Sequence, residues 1–214
     1  MSETTNIKKI ADQQRRSFWL KQLHQWHWIS SAACLIAMLL FAATGITLNH
    51  SAQIEAHPQV SNKQAQLPKD LLAQLTVGQH KDKETLPAPL RTWLDRQLSV
   101  SVGEQPGEWS GDELYVALPR PGGDAWLRVD LGNGKVEYEK TDRGWISYFN
   151  DLHKGRNAGA AWGWFIDIFA AACLVFCLTG LFLLHLHAGN RPMTWPLVGF
   201  GLVVPLVLAI VFIH

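Results

Sequence analysis

Residues 29–48 read Ile29-Ser30-Ser31-Ala32-Ala33-Cys34-Leu35-Ile36-Ala37-Met38-Leu39-Leu40-Phe41-Ala42-Ala43-Thr44-Gly45-Ile46-Thr47-Leu48, a run without a single charge. A hydrocarbon core of roughly 30 Å needs about 20 helical residues to cross it, and this run supplies them. Two further apolar stretches of similar reach follow, at residues 158–184 and 195–213. The second holds one acid, Asp167, and the third carries Pro196 and Pro205, which helices tolerate better in a bilayer than in water. Trp26, Trp28, Trp162, Trp164 and Trp195 stand near the ends of these runs, as rings at a lipid–water interface do. The fold class expected is an integral membrane α-helical protein with three transmembrane helices.

The 214-residue chain carries 19 Lys and Arg against 18 Asp and Glu, a formal net charge of +1. That balance offers no basic surface for nucleic acid, so no nucleic-acid partner is expected. Charge is instead segregated: from residue 157 onward only Asp167 and Arg191 are charged. Lys8, Lys9, Arg15, Arg16 and Lys21 all precede the first span, which places the N-terminus on the cytoplasmic side. The layout expected is a cytoplasmic segment 1–28, transmembrane helix 29–48, an extracytoplasmic domain 49–157, transmembrane helix 158–187, a cytoplasmic loop 188–194 and transmembrane helix 195–214. Arg15-Arg16-Ser17-Phe18-Trp19-Leu20-Lys21 looks like a twin-arginine export signal. The apolar run after it is longer than a usual leader core and no clear A-x-A site follows, so it reads as an uncleaved anchor. Cys34, Cys173 and Cys177 all lie in the apolar runs, leaving the outer domain without a disulfide framework. They read as small buried apolar residues.

In the outer domain, 64–75 and 87–100 read as short helices, the second with Leu90, Trp93, Leu94 and Leu98 at helical spacing. Strands are expected at 113–118, 124–131 and 135–140. In the middle one, Trp126, Arg128 and Asp130 alternate with Leu127, Val129 and Leu131, and Gly132-Asn133-Gly134 after it signals a tight hairpin. Helices followed by an antiparallel meander make a small α+β module. Residues 145–153 place Trp145, Phe149 and Leu152 on one face, as an amphipathic helix on a membrane surface would. Residues 56–68 read as the linker, and no internal repeat is evident.

The histidines carry the chemical information. His24 and His27 precede the first span and His50 closes it; His153 precedes the second, which His185 and His187 close. At about 1.5 Å per residue His27 and His50 are roughly 34 Å apart, so they serve opposite surfaces. Each surface thus receives histidines from two helices, which is what non-covalent haem needs for axial ligation. No C-x-x-C-H run is present for covalent attachment, leaving a b-type haem. If the second helix is continuous, His153, Asp167 and His185 share one stripe to within about 40°, with His187 about 160° from His185. That phase favours His185 over His187 as a ligand and makes Asp167 a candidate to orient a ligand or relay a proton, or to join helices as hydrogen-bonding glue. His24 and His27 share one face, so either can be the inner ligand. Gly155, Gly159 and Gly163 recur at every fourth residue and would admit a close helix or a flat cofactor. Direct binding of a metal ion by His50, His57 and His153 is a further possibility; otherwise His57 and His80 read as exposed loop residues. Trp109, Trp126 and Trp145 read as core residues before they read as a substrate surface.

Leu23-His24-Gln25-Trp26-His27-Trp28, Thr44-Gly45-Ile46-Thr47-Leu48-Asn49-His50, Asp151-Leu152-His153-Lys154-Gly155 and Asp167 with Thr179-Gly180-Leu181 together resemble the PepSY-associated transmembrane helix proteins of bacterial inner membranes, in a short three-span form. The resemblance covers most of the chain. It implies an inner-membrane location, a periplasmic PepSY-like α+β module at 64–140, and the activity of the family's haem-containing members, reduction of ferric iron or ferric siderophores in the periplasm. The family's ligands would fall on His24 or His27, His50, His153 and His185, binding one or two haems per protomer or sharing them across a homodimer. The chain has no strand–GxGxxG–helix unit, so a cytoplasmic flavin reductase or membrane quinol would donate electrons. The alternative reading is a non-enzymatic membrane scaffold whose outer module binds or inhibits a periplasmic protein or protease.

Overall fold

The computed structural model describes residues 2–77 and 83–213, so His80 and position 214 lie outside the described residues. Three helices are long and apolar enough to cross a membrane, contained in α1 (Ser2–Asn49), α5 (Gly159–His187) and α6 (Thr194–Phe212). Residues 2–28 are continuous with the first span in one helix of 48 residues. The cause is in the sequence: no Pro or Gly occurs before Gly45, so nothing breaks the backbone ladder. Apolar side chains cover the outsides of the three helices, Leu39, Leu178 and Phe200 among them, and α6 buries none of its residues. Such surfaces suit lipid and not water.

The chain divides into two compact units, one of Met1–Met38 with Asp167–His214 and the other of Leu39–Ile166. The first is wholly helical apart from its connections, with one turn of 3-10 helix at Ala188–Asn190 between α5 and α6.

The second unit holds a six-stranded antiparallel sheet in the order β1-β6-β5-β4-β3-β2. Its strands are β1 (Gln59–Gln66), β2 (Glu84–Thr85), β3 (Pro106–Ser110), β4 (Glu113–Ala117), β5 (Gly123–Asp130) and β6 (Lys135–Asp142), with α2 (Lys69–Val77) and α3 (Ala88–Leu98) between β1 and β3. The meander expected from the sequence is β4-β5-β6, with the Gly132-Asn133-Gly134 turn in place: Gly134 has φ +74° and its N–H donates to Asp130 O at 2.7 Å. Alternation along β5 is as read, with Leu127 and Val129 buried and Arg128 exposed.

Three strands escaped the sequence reading. The expected linker 56–68 contains β1, and the helix expected at 64–75 begins only at Lys69. The sequence of β1, Gln-Val-Ser-Asn-Lys-Gln-Ala-Gln, is nearly all polar and exposed; it is an edge strand held by its backbone ladder to β6. An edge strand with no buried face gives no period-2 signal. β2 is two residues long, and β3 begins at a proline.

The core of this unit joins Leu90, Leu94 and Leu98 of α3 to Leu114, Val116, Leu127, Val129 and Val136 of the sheet. Leu90, Leu94 and Leu98 repeat at four-residue spacing, so one face of α3 seals one face of the sheet.

Candidate functional site: two docked histidines

The fourth helix, α4 (Gly144–His153), is separated from α5 (Gly159–His187) by residues 154–158. Between them Gly155, Asn157 and Gly159 all have positive φ, at +65°, +56° and +78°. His153 therefore belongs to α4, and the stripe drawn through His153, Asp167 and His185 on one continuous helix does not exist. The four-residue glycine spacing has another cause too: Gly155 and Gly159 make the break, and Gly163 has no neighbour within 4 Å of an added Cβ. Asp167 lies exposed on α5 without a hydrogen bond or ion pair to any described residue, and the structure brings no histidine to it.

Hydrogen bonds fix α4 at both sides. Asn150, 8% exposed, accepts from the Thr47 hydroxyl on α1 at 2.8 Å. Asp151 accepts from the Gly122 N–H at 2.9 Å, and Leu152 O accepts from Trp162 Nε1 at 2.8 Å. Held this way, α4 sets the imidazole of half-buried His153 against α1. Its Nδ1 lies 2.7 Å from Thr44 Oγ1, its ring is 4.9 Å from that of Phe41, and a Cβ on Gly45 would stand 3.6 Å from its Cε1.

The other unit repeats this arrangement with roles exchanged. His27 of α1 is half-buried against α5, its Nδ1 3.0 Å from Thr179 Oγ1 and 3.2 Å from Phe176 O. Its ring stacks on Phe176 at 4.7 Å, and a Cβ on Gly180 would stand 3.2 Å from its Cε1.

His24, His50, His57, His185 and His187 are exposed. His24, His50 and His187 each bring Nδ1 to the carbonyl four residues earlier, Leu20, Ile46 and Leu183, at 2.9, 2.9 and 2.8 Å. The His24 and His187 rings meet edge to face at 5.8 Å, whereas His185 contacts Trp195 at 5.7 Å. His24 is thus paired with His187, while His185 stands against Trp195.

A carbonyl oxygen only accepts, so each Nδ1 facing one carries the proton, and the neutral form of such a ring has its lone pair on Nε2. Nε2 of both His27 and His153 makes no hydrogen bond with a described residue. Among the described residues no three His, Cys, Asp or Glu side chains converge as a metal site, so His50, His57 and His153 do not form the bare-ion centre considered from sequence.

Outside the histidines, a cavity of about 320 Å³ is lined by Ser51, His57, Arg143, Trp145 and Asn150 among others. Of the three tryptophans weighed as a surface, only Trp145 is exposed, at 75%. Trp109 packs on the core and Trp126 donates to Glu139 at 3.2 Å. Trp145 and Phe149 stand out from α4 as the expected amphipathic face, while Leu152 is half-buried.

The sequence reading named Thr44-Gly45 and Thr179-Gly180 as family marks without giving them a task, and it gave none to Asn150. The signal was available in the recurrence of Phe-x-x-Thr-Gly in both spans. A family model described as PepSY_TM-like matches residues 18–214. Neither a curated protein nor a solved structure matches the chain.

Proposed function

The chain belongs to the PepSY_TM-like family, and from that premise we propose that it is a haem b-containing electron-transfer protein of the bacterial inner membrane that reduces ferric iron or ferric siderophores in the periplasm. The observation that carries this reading is the state of His27 and His153: each is half-buried, pinned at Nδ1 and unengaged at Nε2. A metal-ligating histidine has this form, with its second nitrogen held by an oxygen acceptor.

The donor chemistry of the other histidines fits the same group. His50 on the side of His153, and His24 and His187 on the side of His27, turn Nδ1 to a backbone carbonyl and keep Nε2 for a ligand. His185 remains a further inner candidate. Haem bound by such imidazoles supplies a reversible one-electron couple whose potential follows from axial ligands and burial. The protein's own residues orient the imidazoles.

Five basic residues before the apolar part of α1 favour a cytoplasmic N-terminus and hence a periplasmic sheet. Electrons then come from a cytoplasmic flavin reductase or from membrane quinol. A homodimer, with the exposed apolar faces of α5 and α6 in contact, would complete the enclosure of a macrocycle. Trp145 and Arg143 beside the 320 Å³ cavity offer an aromatic and cationic surface for an anionic ferric chelate.

The test is a dithionite-reduced minus oxidised spectrum of the detergent-purified protein with pyridine haemochrome quantification, on wild type and on His27→Ala, His50→Ala, His153→Ala and His185→Ala. A b-type spectrum diminished in His27→Ala and His153→Ala is expected. A haem-free wild type after haem-supplemented expression would sink this reading and leave the scaffold function standing.

A further inference from the structure

Two segments of the chain share the pattern Phe-x2-Thr-Gly-x4-His: Phe41, Thr44, Gly45 and His50 in α1, and Phe176, Thr179, Gly180 and His185 in α5. No repeat was expected from the sequence, and four fixed positions within a background of leucine and alanine are easily passed over. The structure gives the pattern its content. In each copy the threonine hydroxyl meets Nδ1 of a histidine from outside the segment, the phenylalanine ring faces that imidazole, and the glycine lets the ring lie close. Three contacts match in kind and nearly in distance, though the docked histidines come from a long helix in one case and a short one in the other.

The proton positions follow from the acceptors around each hydroxyl. Thr44 Oγ1 lies 2.9 Å from Leu40 O and 3.1 Å from Phe41 O; Thr179 Oγ1 lies 2.7 Å from Val175 O and 3.1 Å from Phe176 O. With the single hydroxyl proton given to a helix carbonyl in each copy, the oxygen is left to accept from the imidazole. At His27 the second contact, to Phe176 O, allows no other assignment.

We propose that the two Phe-x2-Thr-Gly segments are copies of one imidazole-positioning unit, in which Thr44 and Thr179 hold His153 and His27 as Nδ1–H tautomers with Nε2 presented to a haem iron. The identity of the iron partner rests on the function proposed above; the tautomer and its positioning by threonine do not. Thr44 and Thr179 are positioning residues, since they act only through the histidines. An acceptor on Nδ1–H raises the basicity of the opposite nitrogen, and losing such a partner typically lowers metal affinity by about 10- to 100-fold. The copies differ in one respect: His153 depends on Thr44 alone, whereas His27 keeps Phe176 O when Thr179 is replaced.

The experiment is ¹⁵N NMR of the full-length protein labelled at histidine, in detergent and without haem, on wild type, Thr44→Val, Thr179→Val and the conservative Thr44→Ser and Thr179→Ser. Haem titration of the same samples follows. Wild type is expected to show His153 and His27 as single Nδ1–H tautomers. Thr44→Val should convert His153 to a mixture and weaken haem binding about 10-fold, Thr179→Val should change His27 less, and both serine variants should restore the wild-type signals. An Nε2–H tautomer or a free-histidine mixture at His153 in wild type overturns the proposal without recourse to any variant. Failure of Thr44→Ser to rescue a folded Thr44→Val phenotype, judged by unchanged circular dichroism, overturns it as well. Single Nδ1–H tautomers in a protein that takes up no haem would uphold the positioning unit while removing the haem reading.

Discussion

His153 Nδ1 and Thr44 Oγ1 stand 2.7 Å apart at a sequence separation of 109, and most of the chain between them folds as the six-stranded sheet and its helices. The sheet-bearing insertion thus begins and ends on the same pair of contacts, Thr44 with His153 and Thr47 with Asn150. The contact surfaces at the two docked histidines are unequal in a way that mutation can read.

Replacing Gly45 and Gly180 by alanine should have opposite effects. Each substitution gains helix propensity worth up to about 1 kcal/mol. At Gly45 the new methyl meets His153 Cε1 at 3.6 Å, ordinary contact, so Gly45→Ala should stabilise. At Gly180 it meets His27 Cε1 at 3.2 Å, and His27 is pinned by two hydrogen bonds and a stacked ring, so it cannot yield. Overpacking of this kind costs about 1–3 kcal/mol, leaving Gly180→Ala less stable than wild type. Denaturation midpoints in mixed detergent check the pair; a Gly180→Ala protein as stable as Gly45→Ala would show that the packing around His27 yields.

Gly122→Ala should damage the seating of α4 on the sheet unit. Gly122 has φ +71°, and an added Cβ would fall 2.8 Å from the Tyr148 backbone, which has nowhere to move. Left-handed backbone alone costs an alanine about 1–2 kcal/mol, and displacement breaks the N–H bond to Asp151. We expect a loss of at least about 2 kcal/mol, with faster hydrogen exchange along residues 144–153. Wild-type exchange in that segment would refute the role given to Gly122.

Acid should weaken the outer module, by a sign that its carboxylates fix. The Gly144 N–H donating to Asp142, with Arg120 beside it, holds the Asp142 carboxyl below its ordinary 3.8. The Lys135 ammonium bonded to Glu137 holds that carboxyl below its ordinary 4.5. A group depressed in the folded state contributes stability fully present above its unfolded value and lost as pH falls through its folded one. The module's thermal midpoint should therefore be flat above about pH 5 and fall below it, by a small amount because both groups are exposed and screened. A double variant, Glu137→Gln with Asp142→Asn, should fall less steeply in circular-dichroism melts. A midpoint that rises on acidification in wild type contradicts the assignment.

Much of the architecture was legible because burial leaves a period in the sequence. The spans were read from unbroken apolar runs, α3 from Leu90, Leu94 and Leu98, and β5 from its alternation of Leu127 and Val129 with Arg128. β1 left no such trace, since its sequence is nearly all polar and what holds it is its ladder to β6 with hydrogen bonds from Lys63 to Leu98 O and from Gln66 to Asn133 O. The histidine levels were legible from their places at the span ends, but helical phase misled at His153, because the backbone turns at Gly155, Asn157 and Gly159.

The sequence by itself determined that this chain is a membrane protein and how many of its helices are long and apolar enough to cross, because hydrophobic length and composition are local properties. Only the tertiary structure decided which histidines are docked and on what. Those contacts join residues more than a hundred positions apart through directional hydrogen bonds of about 3 Å, and no local period records them.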